Sequence, residues 1–220
     1  MPRTRMSKTR ALVKSEINKA LADTTEVKHN NGTWIISPLS DRPYAVNPLD
    51  YVAQGDGAQQ RTGNRINMLS LNMRANMEMS ASQENTRIRV SVVECREPLP
   101  LVPVGSSYYY DARGVFDSTA SALGANNFFD TDLVKKIHYN KLFTFNQLIT
   151  NQQIFKHLSK YISFGKRGKK AYYDGNSSTG ADLGENTKTH FYIVTTSDTD
   201  SSAIDQPGAT IVWKMRYTDA

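Results

Sequence analysis

The chain has 220 residues, 39% of them hydrophobic and 22% charged, with a net charge of +6. Those proportions suit a globular protein and exclude a disordered one, and no apolar run approaches the ~18 residues of a membrane-spanning helix. A single cysteine, Cys95, excludes an intrachain disulfide, argues against a cysteine-built metal site and suits a reducing compartment.

The N-terminus, "MPRTRMSKTR", is basic with no apolar run behind it, so no secretory signal is expected. Residues 1–22 hold Arg3, Arg5, Lys8, Arg10, Lys14 and Lys19 against one acid, Glu16. This short segment carries +5 of the net +6 and leaves +1 for the rest, the footprint of a phosphate-binding arm. Within it, residues 7–23 read as a helix. Ser7 is placed to cap it, and Val13, Ile17 and Leu21 recur every four residues as one narrow apolar stripe. So short a helix is marginal alone in water and needs a partner, either nucleic acid or sister helices.

Near residue 24 the pattern changes from helical to period two, which divides a basic arm, 1–24, from a folded body, 25–220. "TWIISPL" (33–39) is short and apolar, and the stretch is punctuated by three prolines, Pro38, Pro43 and Pro48. "LSLNMRANMEM" (69–79) alternates cleanly, with Leu69, Leu71, Met73, Ala75, Met77 and Met79 on one face. Ile66 and Met68 fall out of phase with that face, which predicts a bulge near 68–69. "TRIRVSVVECRE" (86–97) turns Ile88, Val90 and Val92 inward. "KIHYNKLFTFNQ" (136–147) places Ile137, Tyr139, Phe143 and Phe145 together. "IFKHLSKYISF" (154–164) is less regular and reads as a strand with a distorted start. "THFYIVTTSD" (189–198) and "ATIVWKMRYTDA" (209–220) complete the set, the last with Ile211, Trp213, Met215 and Tyr217 facing one way.

Seven or eight strands with little helix after residue 24 describe an all-β sandwich or barrel. The long connection 98–135 joins opposite sheets better than neighbouring strands, which favours a single eight-stranded jelly-roll sandwich over an up-and-down barrel.

A second basic cluster, "GKRGKK", offers Lys166, Arg167, Lys169 and Lys170 with Tyr172 and Tyr173 behind it. Bases beside aromatic rings suit a nucleic-acid single strand. The same cluster also reads as a charged hairpin tip, or as an outer loop that meets an anionic receptor. His29, His138, His157 and His190 show no metal-binding spacing, and the acids of 197–205 lack the glycine and closing glutamate of a calcium loop. No phosphate-cradling loop and no nucleophile elbow is present, so no enzyme is expected.

The polar loop after the 3-proline segment carries the most specific pattern. It runs Gln54, Gly55, Asp56, then Gln60, Arg61, Thr62 and Gly63, directly before the long alternating strand. This order resembles the coat proteins of the satellite tobacco necrosis virus type, single jelly-roll capsid proteins found also in circular single-stranded DNA viruses. The terminal "YTDA" (217–220) matches the same family, and "KLFTFNQLITNQQ" with "FGKRGKKAYYDG" (141–175) matches it more loosely.

The resemblance implies a capsid protein that self-assembles into an icosahedral shell, of about 60 subunits in the simplest case. It would package a single-stranded DNA or RNA genome through its arm, meet a host receptor, insert in no membrane, and reside in the virion after assembly in the host cytoplasm or nucleus. It also implies calcium between subunits, with Asp56 near a threefold axis and Asp219 with the Thr62 region at a second site. The chain departs from the family at Arg65, where a glutamine is usual. An arginine has no side-chain acceptor and offers instead a salt bridge to Asp219 in place of the ion. Two other readings stay open from the residues alone: a non-assembling single-strand-binding protein, and a jelly-roll lectin-like module.

Overall fold

The computed structural model describes residues 10, 12–16, 26–37, 39–57, 59–79, 85–104, 107–117, 125, 127–146, 154–173, 188–200 and 206–220. Among the described residues, eleven strands follow in chain order: β1 (Lys28–Ile36), β2 (Tyr44–Val46), β3 (Arg65–Met79), β4 (Asn85–Cys95), β5 (Leu101–Val104), β6 (Ser107–Asp111), β7 (Val134–Asn146), β8 (Ile154–Ser163), β9 (Lys169–Tyr172), β10 (Phe191–Ser197) and β11 (Gly208–Asp219). They form two antiparallel sheets. One has the order β1-β11-β3-β8, with β9 pairing β3 beyond the end of β8; the other has the order β5-β6-β2-β10-β4-β7.

Setting aside β5, β6 and β9, eight strands remain, paired first with last: β1 with β11, β2 with β10, β3 with β8, β4 with β7. That nesting is a long antiparallel hairpin rolled on itself, the jelly roll. The sequence expectation of eight strands is therefore met in topology and exceeded in number, although the long connection 98–135 joins β4 to β7, neighbours in one sheet, rather than opposite sheets. The three additions are four or five residues long, too short for periodicity to register, and β5 contains Pro103, which suits its place at a sheet edge. The three-residue β2 was invisible for the same reason.

Alternation places the core. From β3, Ile66, Met68, Leu71, Met73, Ala75, Met77 and Met79 all turn inward, against Ile88, Val90 and Val92 of β4 and Phe143 and Phe145 of β7. The phase change sits where the sequence puts it. Tyr217 of β11 pairs Met68 while Arg216 pairs Ser70, so Leu69 is the extra residue of a bulge. A second bulge was not legible: Val92 pairs Tyr139 and Val93 pairs Ile137, which skips His138 and turns Ile137 outward, 44% exposed. Far from having a distorted start, β8 pairs β3 without interruption from Ile154 to Ser163.

Gly32 is demanded by packing. It lies opposite Trp213, and a Cβ there would stand 2.0 Å from the indole. The ring fills that space and meets Tyr51 edge-on at 5.2 Å.

The two sheets differ on their outer faces. Strand β10 is buried on both sides. Its Tyr192 and Val194, with Val93, Cys95 and Val134, form a second apolar layer with Leu99, Tyr110, Ala112, Val115 and Phe116 of the long connection. The other sheet is open to solvent on its outer face. There Ile35, Phe155, Tyr161 and Val212 are 52–62% or, for Val212, 44% exposed, interleaved with exposed Arg74, Lys214 and Arg216.

Candidate functional site

The polar loop closes one end of the sandwich and is tied by its own backbone. Arg61 N–H donates to Ala53 O, Gly55 N–H to Arg61 O and Gln60 N–H to Gly57 O, each at 2.9 Å. The Gln60 side chain accepts from Gly57 N–H, also at 2.9 Å. This holds Asp56 at an exposed tip, where it bonds none of the described residues.

Arg61 turns the other way and is only 1% exposed. Burying a guanidinium is costly unless its donors are met. Here its Nη1 donates to Gly63 O and, at 3.3 Å, to Asn64 Oδ1. The plane stacks over the Tyr173 ring, 4.1 Å from the centroid. Tyr173 is fixed in turn by donating to Leu49 O at 3.2 Å, and Leu49 is held by the Asn47 cap on the short 3-10 turn Pro48–Tyr51.

Beyond Arg61 the loop meets the closing strand, and two residues named from the sequence come together. Thr62 donates to Asp219 through its hydroxyl at 2.7 Å and its N–H at 3.3 Å. The cation on Asp219 is not Arg65. It is Lys28, whose Nζ stands 2.8 Å from Asp219 Oδ2 and donates to Gln60 O at 2.9 Å. The reason is register. In β1, Lys28 pairs Tyr217 and turns inward, while Arg65 stands exposed on β3 opposite Tyr172 of β9. The sequence carries a signal for this: Lys28 and Asn30 fall on the inward positions of a strand whose later inward residues are Trp34 and Ile36.

Burial alone would raise the Asp219 carboxyl, but the Lys28 ammonium and the two Thr62 donors outweigh it and hold it below the usual carboxylate range. A depressed carboxyl stabilises the fold above its unfolded value, near pH 3.9, and that contribution is lost as pH falls through the folded value. Asp219→Asn is therefore expected to flatten the fall in melting temperature between pH 6 and pH 3. The site is partly exposed, so the difference should be about 1 kcal/mol or roughly 2–4 °C. Parallel pH profiles of variant and wild type would remove the ion pair from the account.

The donor set around Asp219 bears on calcium. Both carboxylate oxygens already have donors, Thr62 on each and the Lys28 ammonium on one. A calcium ion needs six to eight oxygens, and among the described residues no group of three His, Cys, Asp or Glu is placed to hold a metal. Within one chain, the Asp219 carboxylate is committed to Lys28 and Thr62.

The second basic cluster divides. Lys166 and Arg167 form the exposed tip of a turn closed by Gly168 N–H to Gly165 O at 3.1 Å. Gly168 has φ +66°, and a Cβ there would meet Met68 O at 2.7 Å, so only glycine fits. Lys169 turns inward and bonds Glu94 of the opposite sheet, which Lys135 also bonds at 3.0 Å. Burial would raise the Glu94 carboxyl, but the two lysines hold it low. His138 Nε2 stands 3.7 Å from Glu94, beyond hydrogen-bonding reach. Its ring sits against Phe164 and Phe191, and burial with the nearby lysines lowers it below the usual histidine range, so it is neutral at pH 7. Burial beside Glu94 pushes the Cys95 thiol up to about 12, the behaviour of an inert core cysteine. Lys170 and the exposed Tyr172 border a cleft of about 500 Å³ beside this cluster.

Of the arm cations, Arg10 and Lys14 fall among the described residues and are exposed; residues 10 and 12–16 are helical. Arg3, Arg5, Lys8 and Lys19, with most of the expected 7–23 helix, lie outside the described residues. The exposed turn of helix carries Leu12 and Val13 at 65% and 52% exposure.

No family model matches the chain, and no curated protein matches it. Among solved structures, a chain of the full particle of Israeli acute paralysis virus is 13% identical over 89% of this chain and 68% of that one, with a TM-score of 0.29. A chain of the T13 IBDV viral particle is 7% identical over 86% of this chain and 39% of that one, with a TM-score of 0.24. At such scores the likeness carries no argument, and the fold rests on strand order and register.

Proposed function

We propose that this chain is a capsid protein that assembles with copies of itself into a closed shell and packages a single-stranded genome through its basic arm. The observation that carries the reading is the separation of charge. Residues 1–22 hold +5 of the net +6, ahead of a nearly neutral jelly-roll body. The body presents apolar side chains to solvent on several sides, among them Phe128 at 84%, Ile35 at 62% and Phe155 at 52%. Exposed apolar residues interleaved with arginine are the raw material of subunit contacts, and a detached cationic arm is the raw material of sequence-independent phosphate binding. The role is structural rather than catalytic, and the mature protein belongs in the virion, with about 60 copies as the simplest closed shell.

The Asp219 contact works without calcium on this reading, because Lys28 supplies the positive charge inside each subunit. Negative-stain microscopy and size exclusion of the purified protein should show closed particles, and adding EDTA should leave the particle melting temperature unchanged. Protein that stays monomeric at high concentration, with or without polynucleotide, would overturn the capsid reading. A melting temperature lowered by EDTA and restored by calcium would overturn only the ion-free contact.

A further inference from the structure

The cleft beside β9 is strongly basic. Among the described residues, Arg96, Lys135, Lys169, Lys170 and Lys188 line it against one carboxylate, Glu94. Glu94 is shared by Lys135 and Lys169, and no described carboxylate pairs Arg96 or Lys170, both exposed. His190, also on the wall, is lowered by burial and adds no charge at neutral pH. Tyr172 lies at the mouth, 45% exposed. A neighbouring cleft of about 470 Å³ shares Tyr172 and Lys188 with the first and adds Arg65 and Ala220. Ala220 follows Asp219, and Asp219 holds Lys28, two residues beyond the first described residue of the body, Glu26. The two clefts thus form one positive track that starts at the root of the arm.

We propose that this track binds single-stranded nucleic acid, with Arg65, Arg96, Lys170 and Lys188 on successive phosphates and a base stacked on Tyr172. The inference rests on the reading that the arm holds such a strand. It adds a fixed site on the folded body, where the strand continues after leaving the arm. Charge complementarity and continuity with the arm select this ligand, and the exposed ring between cations supplies the stacking surface that a single strand uses.

The test is binding of fluorescent dT12 and rU12 to the full chain, followed by anisotropy across a salt series. Three forms are compared with wild type: Arg96→Ala/Lys170→Ala/Lys188→Ala, Tyr172→Leu, and a chain with the six arm bases replaced by glutamine. The triple variant should bind about 100-fold more weakly at ~0.1 M salt. Its plot of log affinity against log salt should be shallower by about 2, from three lost phosphate contacts at ~0.7 each. Tyr172→Leu should bind about 5-fold or more weakly with the salt slope unchanged. Arg96→Ala/Lys170→Ala, which disturbs no ion pair among the described residues, repeats the test if the triple variant melts early.

Wild-type affinity and slope in the track variants, with binding lost in the arm variant, would overturn this inference and leave the arm reading standing. Unchanged binding in all forms would overturn both. Heparin binding weakened by the triple variant, while oligonucleotide binding is not, would assign the track to a sulfated glycan and overturn the proposal.

Discussion

Arg61→Ala is expected to lower the melting temperature of the protein by roughly 5–15 °C, from a loss of about 2–4 kcal/mol. The guanidinium is sealed from solvent, yet it sits at the end of the sandwich rather than deep within it, which keeps the figure below that of a core ion pair. Three losses combine. Gly63 O and Asn64 Oδ1 lose their donor, the face of Tyr173 loses its cation, and a cavity replaces the side chain. Arg61→Lys keeps the charge but not the planar fork, and should fall between alanine and wild type. Because the Arg61 backbone also pins Ala53 and Gly55, the alanine variant should retain the Asp56 tip but loosen Thr62 from Asp219. Faster amide exchange at Thr62 would register that loosening. A melting temperature within 2 °C of wild type would mean that burial of Arg61 is incidental to stability.

The legibility of this molecule in its sequence follows strand length. The long strands β3 and β11 carry five or more inward residues each, enough to fix their phase, and the bulge at Leu69 was visible because the apolar pattern changes phase across it. The bulge at His138 was not, because "KIHYNK" offers apolar or aromatic residues in both phases and a register shift leaves no mark in such a stretch. Strands of three to five residues fall below the reach of periodicity altogether. The site divides by a different rule. The Thr62–Asp219 contact follows from the resemblance, but the resemblance points to Arg65 as its cation, because Arg65 stands where the family has a glutamine. Lys28 lies 191 positions before Asp219, and only the β1–β11 pairing joins them. The contacts of Glu94 with Lys135 and Lys169 have the same character: they cross from one strand or sheet to another, and no local spacing announces them.

Deleting residues 2–20 should leave the folded body intact and remove nearly all packaged nucleic acid. The deleted segment holds the six arm bases and Glu16, so the net charge of the chain falls from +6 to +1. The body's strands begin at Lys28, outside the deletion, so the sandwich core and the Lys28–Asp219 contact are untouched and the melting temperature should move by no more than ~2 °C. Binding to a single strand draws on counterions released from each neutralised phosphate. Losing six cations removes a salt slope of about 4, which near 0.15 M salt is a fall in affinity of several orders of magnitude. What remains is the body's own basic surface, too small a charge to condense a genome within a shell. The measurement is the ratio of absorbance at 260 and 280 nm of purified particles, with nuclease-protected nucleic acid counted after extraction. Truncated protein should give particles with the absorbance of protein alone, or subunits that assemble only when a polyanion is added. Truncated particles that protect as much nucleic acid as the full chain would show that the body holds the genome by itself, and the arm would then need another role.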